Sequence, residues 1–265
     1  MMNMIDAVKN TNFVDVTERG GEKVSKAQLE RFYQRYIWAG THAQGADVLE
    51  LACGTGPGLG YLQSLSRSLV AADISEEVLS LARDHYGSRI DFRKLDACNT
   101  GLDTASFDVV ILFEAIYYLP DVNTLFKEIS RLLRPGGIFL LATANKDLLD
   151  FNPSPFSYRY YNPPELLDLL TKHGFEPSFW GGSPIPIADF KVRILRCVKR
   201  FAARYKLIPD SMNGKRFLKR LVFGPLVSMP LELDPQIASY VAPQPIPSDR
   251  PDIHHQVIYC SARKL

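Results

Sequence analysis

Four cysteines in 265 residues (Cys53, Cys98, Cys197 and Cys260) form no CxxC pair and have no clustered histidines beside them. That is poor material for a zinc site or a disulfide framework, and it suits a reducing compartment. No metal site is expected. No run approaches the roughly 18 uncharged apolar residues of a membrane span. The opening MMNMIDAVKN has no apolar core of leader-peptide length. The net charge is only +2, which argues neither for nor against a polyanionic partner. Internal repeats and low-complexity tracts are absent too. The expectation is a soluble, cytoplasmic, globular protein, and the 46% hydrophobic and 23% charged shares are ordinary for one.

What is present is alternation. After a tail, Ser25 with Gln28 three residues on opens a helix in which Leu29, Phe32, Tyr33 and Tyr36 fall at helical spacing. Strands are expected at 47–51, 68–73, 90–96, 107–113 and 138–144, then at FEPSFW from residue 175, with a last one at HQVIYCSA. Helices separate them: one near 60–66, one over EEVLSLARDHY capped by Ser75, and one over VNTLFKEISRLL that should stop at RPGG. A further helix opens at Asn162–Pro163 and ends before Gly174. Strands spaced by helices of this length imply βαβ units and a mainly parallel sheet. The fold class is α/β, a doubly wound sheet.

In such a sheet ligands bind beyond the carboxyl ends of the strands. There the stretch DVLELACGTGPGLGYL turns, with four glycines from Gly54 to Gly60. Gly54 and Gly56 remove side chains where backbone approaches a ligand or takes positive φ. Asp73 ends the second strand about 20 residues on, where a carboxylate accepts ribose hydroxyls. Asp96 ends the third, within reach of an adenine amino group. The third glycine of a dinucleotide fingerprint would fall at Leu59. Glu50, four residues before Gly54, would repel a pyrophosphate and attract an α-ammonium group. The turn favours a cofactor with a positive end and no phosphate.

The pieces VLELACGTG, AADIS, KLDA, FDVVILFEAIYYL and LLRPGGIFLLAT follow in order over about residues 30–180. In this the chain resembles the class I S-adenosylmethionine-dependent methyltransferases of small-molecule type. The resemblance implies a Rossmann-like seven-stranded sheet whose last strand is antiparallel, with S-adenosyl-L-methionine as cofactor. It places the methionine part at Ala52, Cys53, Gly54 and Gly56, the ribose at Asp73 with Ile74 beside it, and the adenine at Asp96 and Ala97. Phe113 would face the cofactor, and a lid helix carrying Tyr33 and Tyr36 would close over it. Two departures stand out: Leu95 precedes Asp96 where many relatives have glycine, and Tyr117 and Tyr118 replace two histidines. Tyr118 is assigned to the cofactor side.

Methyl transfer to a hydroxyl needs alignment and, usually, removal of a proton. The candidates for chemistry are Glu114, which interrupts an apolar run just past the fourth strand, Tyr117, and His254 at the entry to the last strand. A cofactor contact or a helix-start charge explains Glu114 as well as a base does. Packing under the lid is the commoner reason for at least one of Tyr117 and Tyr118, and solvation at a strand entry the commoner one for His254. The loop NPSPFSYRYYNPP has the composition of an acceptor wall or of an ordinary connection.

Three segments are expected: a tail and lid helix over 1–45, a methyltransferase domain over 46–180 and 254–265, and a basic helical cap insertion over 181–253. From Asp189 to Phe223 the insertion holds eleven Lys or Arg against two Asp, a local +9, on an apolar stripe at helical spacing. A solvated lid or attraction of 190–223 to an anionic membrane both account for it; no nucleic-acid partner is expected. The function expected is O-methylation of a small-molecule, sugar or lipid-linked glycan acceptor, in the cytoplasm or peripherally at the inner face of the membrane. N- or C-methylation of a quinone- or polyketide-like metabolite, nicotinamide-dependent oxidoreduction, and a non-catalytic binding role are the alternatives.

Overall fold

The computed structural model describes residues 17–154, 156–185 and 226–265. The chain opens with strand β1 (Lys23–Ser25) and helix α1 (Lys26–Ala43). Then come β2 (Asp47–Leu51), α2 (Leu59–Leu65), β3 (Ser68–Asp73), α3 (Glu76–Tyr86), β4 (Asp91–Lys94) and β5 (Phe107–Phe113). After these follow α4 (Val122–Leu132), β6 (Leu133–Ala144), α5 (Pro163–Lys172) and β7 (Phe175–Pro184). The described chain ends with β8 (Leu226–Ser228), β9 (Gln244–Pro245) and β10 (His255–Lys264).

The main sheet has the order β4-β3-β2-β5-β6-β10-β7-β9. Strands β2 to β6 run parallel, and β10 inserts antiparallel between β6 and β7. The expected seven-stranded pattern is therefore present, extended at one edge by the two-residue β9. Each central strand is apolar on both faces. In β5, Val109, Ile111 and Phe113 pack with α1, α2 and α3, while Val110 and Leu112 pack with α4 and α5. Period-2 alternation thus divides one strand between two cores, which is why it reads as a continuous apolar run. Strand order reverses between β2 and β5, so their carboxyl ends diverge and leave a crevice there.

Caps fix the helix starts. Ser25 accepts from the Gln28 N–H at 3.2 Å, and Asn162 and Glu165 form a reciprocal box with bonds of 3.2 and 2.9 Å. Such caps are each worth about 1 kcal/mol. Two boundaries differ from expectation. Helix α4 stops at Leu132, and β6 begins at once, because Leu133 already pairs with Phe107. Residues 134–137, RPGG, loop out within the strand before Ile138 pairs with Val109. Strand β4 is shorter than 90–96; Asp96 lies past it, bridged to Asn99.

The basic helical stretch expected over 190–223 lies outside the described residues. The described return of the insertion is tied to the N-terminal elements. β8 pairs antiparallel with β1, and the Leu233 N–H donates to the Pro57 carbonyl at 2.7 Å. Glu232 pairs with His85 at 2.8 Å and also with Arg89.

Candidate active site

A cavity of about 1540 Å³ opens over the crevice between the carboxyl ends of β2 and β5. Two non-glycine residues with positive φ sit at its floor: Ala52 (φ 55°) just past β2 and Glu114 (φ 51°) just past β5. Unfavourable backbone at two adjacent strand ends, both facing one cavity, is the kind of local strain that functional sites retain.

The glycine turn is built around Asp73. Its Oδ2 accepts from the Gly54 N–H at 3.0 Å and its Oδ1 from the Ser75 N–H at 2.9 Å. The carboxylate therefore ties the first turn to the end of β3 and still has lone pairs free. Burial pushes its pKa up, while the backbone N–H groups of Ser75, Gly54 and Ile74 pull the other way. Gly54 (φ 61°) is a place where a side chain would collide, since a Cβ there would lie 2.7 Å from Thr17 Cγ2. Gly58 matters for a reason the spacing did not reveal: a Cβ there would come within 2.2 Å of the Tyr36 ring.

Glu50 is fully within the protein, with 2% of its surface exposed. Tyr36 Oη donates to its Oε1 at 2.6 Å, and Oε2 is buried with no hydrogen-bond partner. Burial pushes the Glu50 pKa up to about 7, against the opposing Tyr36 hydrogen bond and Arg35 charge. An unsatisfied carboxylate oxygen is costly unless something cationic or protic meets it.

Beside it lies a second cluster. Arg35 is buried, pairs with Glu18, and places Nη1 3.8 Å from Glu114 Oε1. Burial alone would lower the Arg35 pKa; the carboxylates of Glu18 and Glu114 outweigh it and hold it above the ordinary value. Glu114 accepts from Tyr117 Oη at 3.1 Å, and burial raises its pKa against the pull of Arg35. Tyr117 stacks on Tyr160 at 4.4 Å with 22° between the rings, and Tyr118 meets it edge-on at 4.6 Å.

Of the residues singled out from sequence, Tyr36, Glu50, Ala52, Cys53, Gly54, Asp73, Ile74, Asp96, Ala97, Phe113, Glu114, Tyr117 and Tyr118 all line this cavity. Three do not. Tyr33 turns away from it and donates from Oη to the Pro235 carbonyl at 2.7 Å. Gly56 (φ 70°) lies behind the turn, where a Cβ would meet Leu59 Cδ1 at 2.3 Å, so its role is in packing. His254 is exposed, its backbone N–H held by Asp252 Oδ2 at 3.3 Å, and it lies away from the cavity. Its neighbour His255 is the buried one, paired with Asp252 at 3.0 Å, because adjacent strand residues point to opposite faces. Arg31, Arg35 and Glu18 were missed. Arg31 and Arg35 carry a visible signal, an i, i+4 pair on the cavity face of α1.

Comparison with known proteins agrees with this geometry. A family model described as Methyltransferase domain matches residues 49–141. A probable S-adenosylmethionine-dependent methyltransferase of Mycolicibacterium smegmatis is 37% identical over 138 residues, covering 50% of this chain and 52% of that protein. The O-methyltransferase cnsE of Penicillium expansum is 30% identical over 179 residues, covering 61% of each. The matched part thus spans about half to three-fifths of the length of these curated relatives. The solved structure of a SAM-dependent methyltransferase from Archaeoglobus fulgidus aligns with a TM-score of 0.56 at 15% identity. That alignment covers 91% of this chain and 95% of the other, a likeness of fold alone. Residues 49–141 thus carry a methyltransferase domain, and over about half its length the chain is similar to S-adenosylmethionine-dependent methyltransferases.

Proposed function

We propose that the protein binds S-adenosylmethionine and transfers its methyl group to a hydroxyl oxygen of a small-molecule acceptor. The observation that carries this reading is Glu50 Oε2, buried and without a partner beside the glycine turn. An α-ammonium group satisfies it, whereas a pyrophosphate is repelled by it. Asp73 has lone pairs left for ribose hydroxyls, and Ile74, half exposed, and Leu95 offer apolar faces for a purine. When bound, S-adenosylmethionine supplies a methyl group on a sulfonium and the leaving group.

Everything else falls to the protein. Glu114 takes the proton of the acceptor hydroxyl as the O–C bond forms. Tyr117 orients the carboxylate through Oε2, and Arg35 on the other side keeps the basic form accessible despite burial. A proton acceptor placed here favours an oxygen acceptor over amine or carbon methylation, and cnsE, an O-methyltransferase, lends support.

Calorimetry with S-adenosylmethionine, S-adenosylhomocysteine and NAD tests the reading. The first two are expected to bind and NAD is not; binding of NAD alone would overturn it. Peripheral attachment to anionic membrane rests on the +9 of 189–223. In flotation, vesicles with anionic lipid are expected to carry the protein and neutral ones to leave it behind. Equal recovery from both would remove the membrane from the proposal.

A further inference from the structure

Helix α1 lines the cavity with two guanidinium groups one turn apart, Arg31 and Arg35. Arg35 is claimed by Glu18 and Glu114. Arg31 has no such claim. Its Nη1 donates to Gln256 Oε1 at 3.1 Å, and no carboxylate among the described residues lies within ion-pair distance of it. It is nevertheless half-buried, in surroundings whose desolvation lowers its pKa, with Glu114 nearby acting to raise it. A desolvated cation facing a cavity with most of its donors unspent is a costly arrangement for a protein to keep empty.

The space around it suits a second ligand. Small-molecule sites usually measure about 300–1,000 Å³, and this cavity of about 1540 Å³ has room beyond a cofactor. On the side past Glu114, the wall is aromatic. Tyr117 stacks on Tyr160, and Phe151 meets Tyr160 edge-on at 4.7 Å. Flat apolar surface of this kind accepts a planar ring. A guanidinium with one donor fixed by Gln256 keeps the planar fork that matches a carboxylate.

We infer that Arg31, steadied by Gln256, is the anchor for a carboxylate on the acceptor, and that the acceptor is an aromatic hydroxy acid lying along the Tyr117–Tyr160–Phe151 wall. The assignment deepens the methyltransferase reading and rests on it for the word acceptor. The anchor sits on the same helix as Arg35, so it orients the substrate's hydroxyl toward Glu114 without itself touching the reacting atoms.

Calorimetric titration of the protein saturated with S-adenosylhomocysteine tests this, with 4-hydroxybenzoate, neutral 4-hydroxybenzyl alcohol and phenyl phosphate as probes. The benzoate is expected to bind at least about tenfold more tightly than the alcohol. Arg31→Gln should erase that preference while S-adenosylhomocysteine affinity stays within about twofold, which also shows that the variant is folded. Arg31→Lys should keep part of the preference, because the charge remains and the fork is lost. Equal binding of acid and alcohol, binding of neither, or a preference surviving in Arg31→Gln would overturn the anchor. Tighter binding of phenyl phosphate than of the benzoate would overturn the choice of carboxylate. If S-adenosylhomocysteine itself does not bind, the methyltransferase reading fails instead. The same probes titrated into the cofactor-free protein then still decide the anchor.

Discussion

Glu50→Gln is expected to weaken S-adenosylmethionine binding about 10- to 100-fold above pH 7, the loss of one charge-assisted hydrogen bond. The same change should stabilise the cofactor-free protein there. The sign follows from the carboxyl's raised pKa of about 7 against an ordinary 4.5. A buried acid with a raised pKa holds its proton more tightly folded than unfolded, so stability falls as pH rises through that window. Above it the full penalty stands, on the order of 3 kcal/mol. Glutamine cannot ionise, keeps an acceptor for Tyr36, and leaves its amide NH2, with both N–H donors, unsatisfied. The net gain above pH 7 is therefore about 1–2 kcal/mol, read as a higher denaturation midpoint. Below pH 7 wild-type affinity should fall up to about tenfold per unit as Glu50 becomes protonated, while the variant stays flat. Calorimetry and thermal melts at several pH values separate the two effects. A variant that binds as well as wild type above pH 7 would remove Glu50 from the cofactor site.

That opposition between stability and binding explains why the residue could be picked out early. An acid inside an apolar strand breaks the pattern that otherwise specifies the core, and such breaks tend to mark sites. Glu50, Asp73 and Glu114 all stand at strand ends that were legible as apolar runs, so both the acids and their shared edge could be read. What escaped depends on contacts distant in sequence. Arg35 gains its meaning from Glu18 and Glu114, one 17 residues away and the other just past β5. The start of β6 at Leu133 is decided by Phe107, and no local signal competes with Pro135 for a reader of the helix end. Tyr33 and Tyr36 share a helical stripe, yet only Tyr36 meets a carboxylate; the other is drawn to a carbonyl at Pro235. His254 falls outside the cavity because strand entry sets which of two neighbours turns inward, and here it is His255.

Glu114→Gln should show the largest effect on turnover, a fall of about 10²- to 10⁴-fold, with S-adenosylmethionine affinity little changed. The geometry separates these two readouts. Glu114 touches Tyr117 and Arg35, whereas the groups assigned to the cofactor are Glu50 and Asp73, on β2 and β3. Glutamine is isosteric and still accepts from Tyr117, so the loss reports the missing base. Burial raises the Glu114 pKa, and a base works only when ionised. The wild-type rate should therefore climb with pH through a value above the ordinary carboxylate range, and the variant's residual rate should lack that rise. The measurement is incorporation of labelled methyl from S-adenosylmethionine into the small-molecule fraction of a cell extract. An unchanged rate would mean that the acceptor hydroxyl loses its proton without help. Arg35, held between Glu18 and Glu114, would then serve to fold the lid helix onto the sheet rather than to tune a base.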